Sequence, residues 1–459
     1  MLRIGADEVP AQVRYYNMPQ ACCLRYRSGR YDPTLKFRAR RKRILDMPRY
    51  LFTNAKIFDG SGRASYPGEV LVTGTRVESV SEKASPLPRA GAELIDCGGA
   101  TLMPGLVESH AHLSWPSSIG RVINAMTLPA EEHLLVTARN ARITLDAGFT
   151  SAYSAGSLGP RFEIALREEI NGGWTPGPRL RASSLERLPD GALGVKVDPD
   201  AKHVRGPESM RAYVKEMAKE GVDSIKFLLS SDDAFTPGGS KQITYSDEEV
   251  AAIGAQARES GVSLACHAQA ADAVKMAVRH GFRILYHCSH ADEEALDMLE
   301  AKKDELFVAP AIGLLYARTY EAESFGITRK IAEEMGAVSG MDRMQTLYPK
   351  MRKRGIRILP GGDYGFPYNP IGRNARDLQH FVDLLGFTPI EALVAATKLG
   401  GELMGKGDLI GMIKPGYFAD LLIVDGDPSV DVRILQDHDR LLMIMKDGAF
   451  HSKRIRTLH

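Results

Sequence analysis

Short apolar runs alternate with amphipathic segments of helix length between residues 148 and 360. Ser224–Ser230 and Ser263–His267 are two of the runs, and Ser246–Ser260 between them has the length of a helix. Strands that alternate with helices pair in parallel through helical crossovers. About eight such units indicate a closed (β/α)8 barrel, in which ligands bind at the carboxyl ends of the strands. The pattern therefore predicts an α/β fold with a TIM-type barrel over residues 103–404.

The two ends of the chain show a different pattern, with shorter strands and tight turns. Tyr50–Phe58 lies near the N terminus, and Ile413–Pro428 and Leu442–Asp447 near the C terminus have the same character. Such strand lengths and turn residues are typical of a small antiparallel sheet. We therefore predict one composite β-rich domain from residues 47–102 and 405–459, with the barrel inserted between its halves.

Residues 1–46 differ from the rest of the chain in charge. They contain 11 Lys and Arg against four acids, so they carry about +7 and the remainder of the chain about −5. No apolar segment of the kind found in a signal peptide follows these charges. Met47 lies just ahead of the first strand, so we predict a basic N-terminal extension outside the fold, with its order left open. A nucleic-acid or membrane arm is the alternative.

The composition is that of an ordinary globular protein. Hydrophobic residues make up 44% and charged residues 25%, and a net charge of +2 indicates no polyanionic partner. The five cysteines are odd in number and show no Cys-x-x-Cys spacing, so no disulfide framework is expected and a cytoplasmic location fits best. No run of about 18 apolar residues is present. We expect neither a nucleic-acid nor a membrane partner.

Two histidines separated by one residue end the apolar run that begins at Leu102. Side chains at i and i+2 of a strand point to the same face, so His110 and His112 can reach one ion. Further side chains with metal-binding chemistry lie at or near the ends of later strands: Lys226, His267, His287 and Asp363. Alone, each is more often a packed, paired or turn residue. Their recurrence at successive strand ends predicts a metal site.

This set of residues resembles that of the amidohydrolase superfamily. The surrounding phrases Asp146–Thr150, Gly221–Lys226, Thr388–Thr397 and Gly416–Leu422 are similar to the branch that contains imidazolonepropionase-like proteins and Xaa-Pro dipeptidases. The resemblance extends over residues 50–430. It implies a distorted (β/α)8 barrel with a small β-sandwich domain formed by both chain ends, which agrees with the strand pattern.

The resemblance also implies a binuclear site. Histidines and one aspartate would hold the ions: His110, His112 and Asp363 the first, His267 and His287 the second. Lys226 would bridge both ions as a carbamate formed with CO2, because a protonated ammonium cannot ligate a cation. Zinc suits imidazole and carboxylate donors, and Mn, Co and Fe are alternatives.

The implied activity is metal-dependent hydrolysis of a C–N bond in a small molecule, with an amide, urea, carbamate or dipeptide as substrate. Two cations that share a hydroxide provide a nucleophile at neutral pH. Asp363 is the predicted general acid and base, because it would accept the proton of the attacking water and pass it to the leaving nitrogen. Large barrels of this family often form homo-oligomers, so a homo-oligomer is expected.

Three departures from the family pattern argue against a dipeptide substrate. Ser151–Ser154 replaces a Thr-Val-Arg-Asp phrase, Ser184–Gly191 replaces a Gly-Gly-His loop, and Tyr286 replaces the usual Glu before the strand-end histidine. Phenylurea and molinate hydrolases are therefore expected among the relatives. Polar groups near predicted strand ends are the candidate substrate contacts: Tyr153, Arg187, His290, Tyr316, Tyr364 and Arg373. Of these, His290 is better explained as a residue at the rim.

Two other functions stay open. A mononuclear deaminase of the same superfamily would normally carry a Glu shortly after the histidine that corresponds to His267, yet His267-Ala-Gln-Ala270 offers none. A non-catalytic scaffold would show loss of the ligands, and all six candidates are present. Both observations favour the hydrolase.

Overall fold

A computed structural model of the chain describes residues 47–82, 85–189, 191–192, 205–455 and 457–458. The predicted basic extension over residues 1–46 lies outside the described residues. The strands are β1 Arg49–Ile57, β2 Tyr66–Thr73, β3 Arg76–Glu82, β4 Glu93–Asp96, β5 Thr101–Pro104, β6 Leu106–Ala111, β7 Phe149–Ser154, β8 Arg179–Arg181, β9 Arg187–Leu188, β10 Gly191–Ala192, β11 Ser224–Leu228, β12 Ser263–Ala268, β13 Ile284–His287, β14 Phe307–Ala309, β15 Leu421–Val424, β16 Leu441–Lys446, β17 Ala449–Lys453 and β18 Thr457–Leu458.

Helices separate most of the strands in the middle of the chain. They are α1 Ala130–Asp146, α2 Phe162–Asn171, α3 Pro207–Glu220, α4 Asp247–Ser260, α5 Ala271–His280, α6 Glu293–Ala301, α7 Ile312–Tyr320, α8 Arg329–Glu334, α9 Ala337–Lys353, α10 Arg376–Leu385, α11 Pro389–Val394 and α12 Gly400–Leu403. Among the described residues, no helix is long and apolar enough to cross a membrane.

Strands from both ends of the chain pair in one sheet. Over the described residues this sheet has nine strands, with β17-β16-β15-β5-β1-β2-β3 in order, β4 beside β1, and β18 beside β4. Its core contains Phe52, Val70, Leu102 and Ile423, all fully buried. The strand pairing thus joins the two chain ends. The domain boundaries and the second layer of a sandwich stay predictions.

The middle of the chain forms two further sheets. One has the order β10-β9-β11-β12-β13-β14, with β11 to β14 parallel, and the other is the parallel set β6-β7-β8. Single parallel bridges extend these sheets, Ser183 with Ser224 and Val308 with Ile358. The mixed α/β class is as predicted. Strand pairing among the described residues does not close the sheets into a ring.

Local sequence explains these elements. Strands β11 and β13 are buried at every position, as is typical of parallel strands that other elements cover on both faces. Helix α4 begins at a capping box between Ser246 and Glu249 and ends at Gly261, whose φ of +68° suits a residue without a Cβ. Residues at or near the carboxyl ends of β6, β11, β12 and β13 line one cavity.

Candidate active site

The six predicted metal ligands line one cavity of about 210 Å³. His110 lies in β6 and His112 just after it, Lys226 lies in β11, and His267 and His287 lie near the ends of β12 and β13. Asp363 follows the segment that pairs with β14 through Ile358. All six side chains line the cavity and each is at least nine-tenths buried. The tertiary structure thus brings together residues that are far apart in sequence, from His110 to Asp363.

His110, His112 and Asp363 form the tightest group. One ligand atom from each lies within 4.8 Å of the others. The Oδ1 atom of Asp363 is 3.2 Å from Nε2 of His112 and 3.8 Å from Nε2 of His110, yet it has no hydrogen-bond partner in the described part of the chain. Nδ1 of His110 is also buried and unpartnered there. A buried acceptor without a partner costs free energy, so this group suits a bound cation.

The electrostatics of the group match that of a cation site. Burial lowers the pKa of His110 and His287 well below the usual value and so favours the neutral imidazole, whose lone pair can bind a cation. Burial opposes ionisation of Asp363, but the nearby His110 and His112 hold its pKa well below the usual range. At His112 burial is outweighed by the carboxylates of Glu186 and Asp363, which raise its pKa. Negative charge thus surrounds this histidine.

The second group is His267 with His287, whose ring centroids are 4.3 Å apart. His287 has a φ of +73° and Asp363 a φ of +58°. Left-handed backbone is uncommon for residues other than glycine and is found at sites where side-chain direction matters. Here it turns both side chains from their strand ends toward the cavity. Tyr348 donates its hydroxyl proton to the backbone oxygen of His287 at 2.7 Å and holds this turn in place.

Lys226 lines the same cavity as both groups. Its Nζ donates to the backbone oxygen of Ala155 at 2.7 Å and is 3.5 Å from Oε2 of Glu186. The ring of Tyr286 lies 4.7 Å from Nζ and stacks on His110 at a centroid distance of 3.8 Å. Tyr286, which replaces the Glu of the resembling family, thus packs against two predicted ligands, His110 and Lys226.

The amidohydrolase family pattern matches residues 101–450 of the chain, which is more than half of it. The chain belongs to this family. Ochratoxinase from Aspergillus niger is 26% identical over 374 residues, which cover 76% of this chain and 75% of that protein. Imidazolonepropionase from Sphingopyxis alaskensis is 25% identical over 373 residues, covering 75% of this chain and 84% of that protein.

Solved structures agree with the family. A Xaa-Pro dipeptidase with bound methionine superimposes with a TM-score of 0.76 at 25% identity, over 88% of this chain and 99% of that one. Molinate hydrolase and phenylurea hydrolase B, each with a TM-score of 0.69, share the fold at 18% and 21% identity. The predicted branch and relatives are confirmed. This amidohydrolase is therefore a hydrolase of the C–N bond class, and its structural neighbours imply a TIM-type barrel fold.

Glu186 is a site residue that sequence reasoning missed. It is 4% exposed, and its Oε1 lies 3.5 Å from Nδ1 of His112. The backbone oxygen of Gly156 lies 3.1 Å from the same Nδ1, which leaves Nε2 of His112 to face Asp363. One sequence feature could have indicated Glu186. It lies in the loop Ser184–Gly191, which replaces a motif of the family, and a replaced motif indicates different side-chain contacts.

Gly156 makes room for the Glu186 side chain. A Cβ at Gly156 would lie 2.1 Å from Cγ of Glu186, and its φ is +136°. We expect Gly156→Ala to lower the free energy of unfolding by about 1–3 kcal/mol, because overpacking displaces the glutamate. Urea denaturation measures this. Gly173→Ala is the matched control, with a φ of +76° and no atom within 4 Å of its Cβ position. An equal loss in both variants would show that backbone strain alone is responsible.

The six predicted substrate contacts are not among the described residues that line this cavity. Tyr153 is fully buried and donates to Oγ of Ser224 at 3.0 Å. Arg187 lies over the ring of Tyr213, with its guanidinium carbon 5.0 Å from the centroid.

The other four also contact groups away from the cavity. His290 lies 2.9 Å from Oγ of Ser240, and burial lowers its pKa to about 4. Tyr316 packs on His380 at a centroid distance of 4.4 Å. Tyr364 donates to the backbone oxygen of Asn374 at 3.5 Å, and Arg373 pairs with Glu321 at 3.2 Å. The substrate role of all six stays a prediction that this geometry does not favour.

Proposed function

We propose that this amidohydrolase is a binuclear metal-dependent hydrolase that cleaves a C–N bond in a small amide, urea, carbamate or dipeptide. The observation that carries the proposal is the buried set of unpartnered acceptors around Asp363 and His110. Imidazole and carboxylate donors at this spacing fit divalent zinc, with Mn, Co and Fe as alternatives.

We assign the ligands as the resemblance implies. His110, His112 and Asp363 would hold one ion, His267 and His287 the other, and Lys226 would join them as a carbamate. Two bound divalent cations supply Lewis-acid polarisation of the scissile carbonyl and lower the pKa of water toward neutrality. The cavity position of all six side chains supports this assignment.

The protein's own groups then position substrate and move protons. Asp363 accepts the proton of the attacking water at its carboxylate and delivers it to the leaving nitrogen, a role that its position in the cavity beside two histidines supports. Trp115 and Phe366 line the cavity next to the ligands, with ring centroids 4.5 Å apart, and their apolar surface limits the access of bulk water.

We also propose that the strands of the middle region close into a (β/α)8 barrel over residues 103–404. In the same proposal, the sheet from both chain ends is part of a β-sandwich domain over residues 47–102 and 405–459. The pairing of β5 with both β1 and β15 supports the composite origin of that domain.

The test combines metal analysis with activity. Protein purified without chelator is expected to contain about two divalent ions per chain by plasma mass spectrometry and to hydrolyse one class in a panel of amides, N-aryl ureas, carbamates and dipeptides. Removal of metal by a chelator should abolish hydrolysis, and restored metal should return it. About one ion per chain with ammonia as the sole product from an aminated ring would favour the deaminase instead. Full activity without metal would contradict both.

A further inference from the structure

One side chain in the cavity carries a positive charge and is outside the proposed ligand set. Among the described residues that line the cavity, the cationic side chains are Lys226 and Arg318, apart from histidines. Arg318 comes from helix α7, and Leu314, one turn earlier on the same face, also lines the cavity. The guanidinium therefore enters the cavity from a helix rather than from a strand end.

The contacts of Arg318 leave most of its donors unused. The residue is 8% exposed. Its Nε donates to the hydroxyl of Tyr368 at 3.2 Å, and its guanidinium carbon is 5.6 Å from the centroid of the Phe366 ring. In the described part of the chain, the hydrogen bond of this guanidinium is the one from Nε. A guanidinium has five N–H donors, so the Nη atoms keep donors for a ligand in the cavity.

The nearest carboxylate, that of Asp232, does not accept a hydrogen bond from the guanidinium of Arg318. Oδ1 of Asp232 lies 4.0 Å from Nη1 of Arg318, beyond hydrogen-bond distance. Oδ1 already accepts from the backbone N–H of Ala234 at 2.7 Å, and Oδ2 accepts from Gln269 at 2.6 Å. Asp232 is thus held by its own loop and by Gln269. The forked end of Arg318 is left free to bind an anion from the cavity.

Apolar surface adjoins this cation. Phe366 packs edge-on against Trp115, and Trp115 stacks on His112 at a centroid distance of 4.3 Å. Phe235 and Leu314 line the same cavity. A ligand that pairs with Arg318 and packs against these apolar side chains therefore carries both an anionic group and an apolar or aromatic group.

We propose that Arg318 binds the carboxylate of the substrate, and that the substrates are amides of the N-acyl amino acid type with an aromatic or branched apolar group. Guanidinium and carboxylate form two parallel hydrogen bonds, a geometry that fixes ligand orientation. This inference rests on the proposed hydrolase function for the reaction, but the binding of the anion does not require turnover.

Binding tests the inference separately from catalysis. Full-length protein treated with chelator is titrated by calorimetry with N-benzoylglycine and with its neutral carboxamide, N-benzoylglycinamide. We expect the anion to bind roughly 10- to 100-fold more tightly, since a hydrogen bond to a charged group contributes about 1.5–3 kcal/mol. Arg318→Met should remove this preference, and Arg318→Lys should keep part of it. Arg352→Met is the matched control, because Arg352 pairs with Glu391 at 2.9 Å and does not line the cavity.

Kinetics with protein purified without chelator give the second readout. Arg318→Met is expected to raise KM for the anionic amide about 10- to 100-fold and to leave the carboxamide nearly unchanged. Equal binding of the two ligands by the native chain overturns the inference, and so does an equal loss for both in Arg318→Met. Should Arg318→Met fail to fold by circular dichroism, the native comparison and Arg318→Lys still decide. Selective anion binding without hydrolysis of any amide would instead contradict the proposed function.

Discussion

Replacing Asp363 with asparagine is expected to lower kcat by about 10³-fold or more. The amide has the same shape as the carboxylate, but it cannot accept the proton of water or return it to the leaving nitrogen. The φ of +58° at this position is one that asparagine tolerates, so the backbone turn is retained. Steady-state kinetics on the best substrate of the panel measure the loss, with metal content and melting temperature determined in parallel.

Asp233→Asn is the matched control for this substitution. Asp233 also lies on a loop near the ligands, but it accepts from Ser240 at 2.8 Å and does not line the cavity. Its kcat should stay within a few-fold of the native value. An Asp363→Asn protein that kept more than a tenth of native activity would assign proton transfer to another group.

Replacing Lys226 with methionine is the second change with a large expected effect. Methionine matches the length of the buried stem but cannot form a carbamate. The proposed bridge between the two ions would be lost. We expect metal content to fall from about two ions per chain to one or fewer, with activity reduced by at least 10²-fold. Plasma mass spectrometry and kinetics provide the two measurements.

Lys275→Met controls for loss of a paired lysine. Lys275 pairs with Asp292 at 2.9 Å on the outer surface of α5 and does not line the cavity. This variant should retain native metal content. If Lys226→Met also retained two ions per chain, Lys226 would be a structural partner of Ala155 and Glu186, and the proposed carbamate would have no support.

The sequence predicted the site residues that lie near the ends of strands. His267 and His287 end strands β12 and β13, and parallel strands in register present their carboxyl ends at one edge. Local alternation of apolar runs and helices was therefore enough to place them together. The polar groups Tyr316 and Arg373 were chosen by the same rule but lie on segments whose direction the strand pattern does not determine. Each contacts other residues instead.

Glu186 and Arg318 show the opposite case. Glu186 reaches Lys226 and His112 because Gly156, which is distant in sequence, has no side chain in its path. Arg318 reaches the cavity through the packing of α7 beside Phe366. The periodicity of the sequence predicts neither contact, because each depends on how distant segments pack against one another.

The sequence by itself determined the α/β class, the strand-end positions of the six candidate ligands and the family. These follow from local periodicity and from motif spacing, which act over a few residues. Only the tertiary structure decided that Glu186 lies beside Nδ1 of His112 and that the guanidinium of Arg318 lines the cavity. The physical reason is that side-chain burial against a distant segment depends on long-range packing, and packing has no signature in the local pattern of the chain.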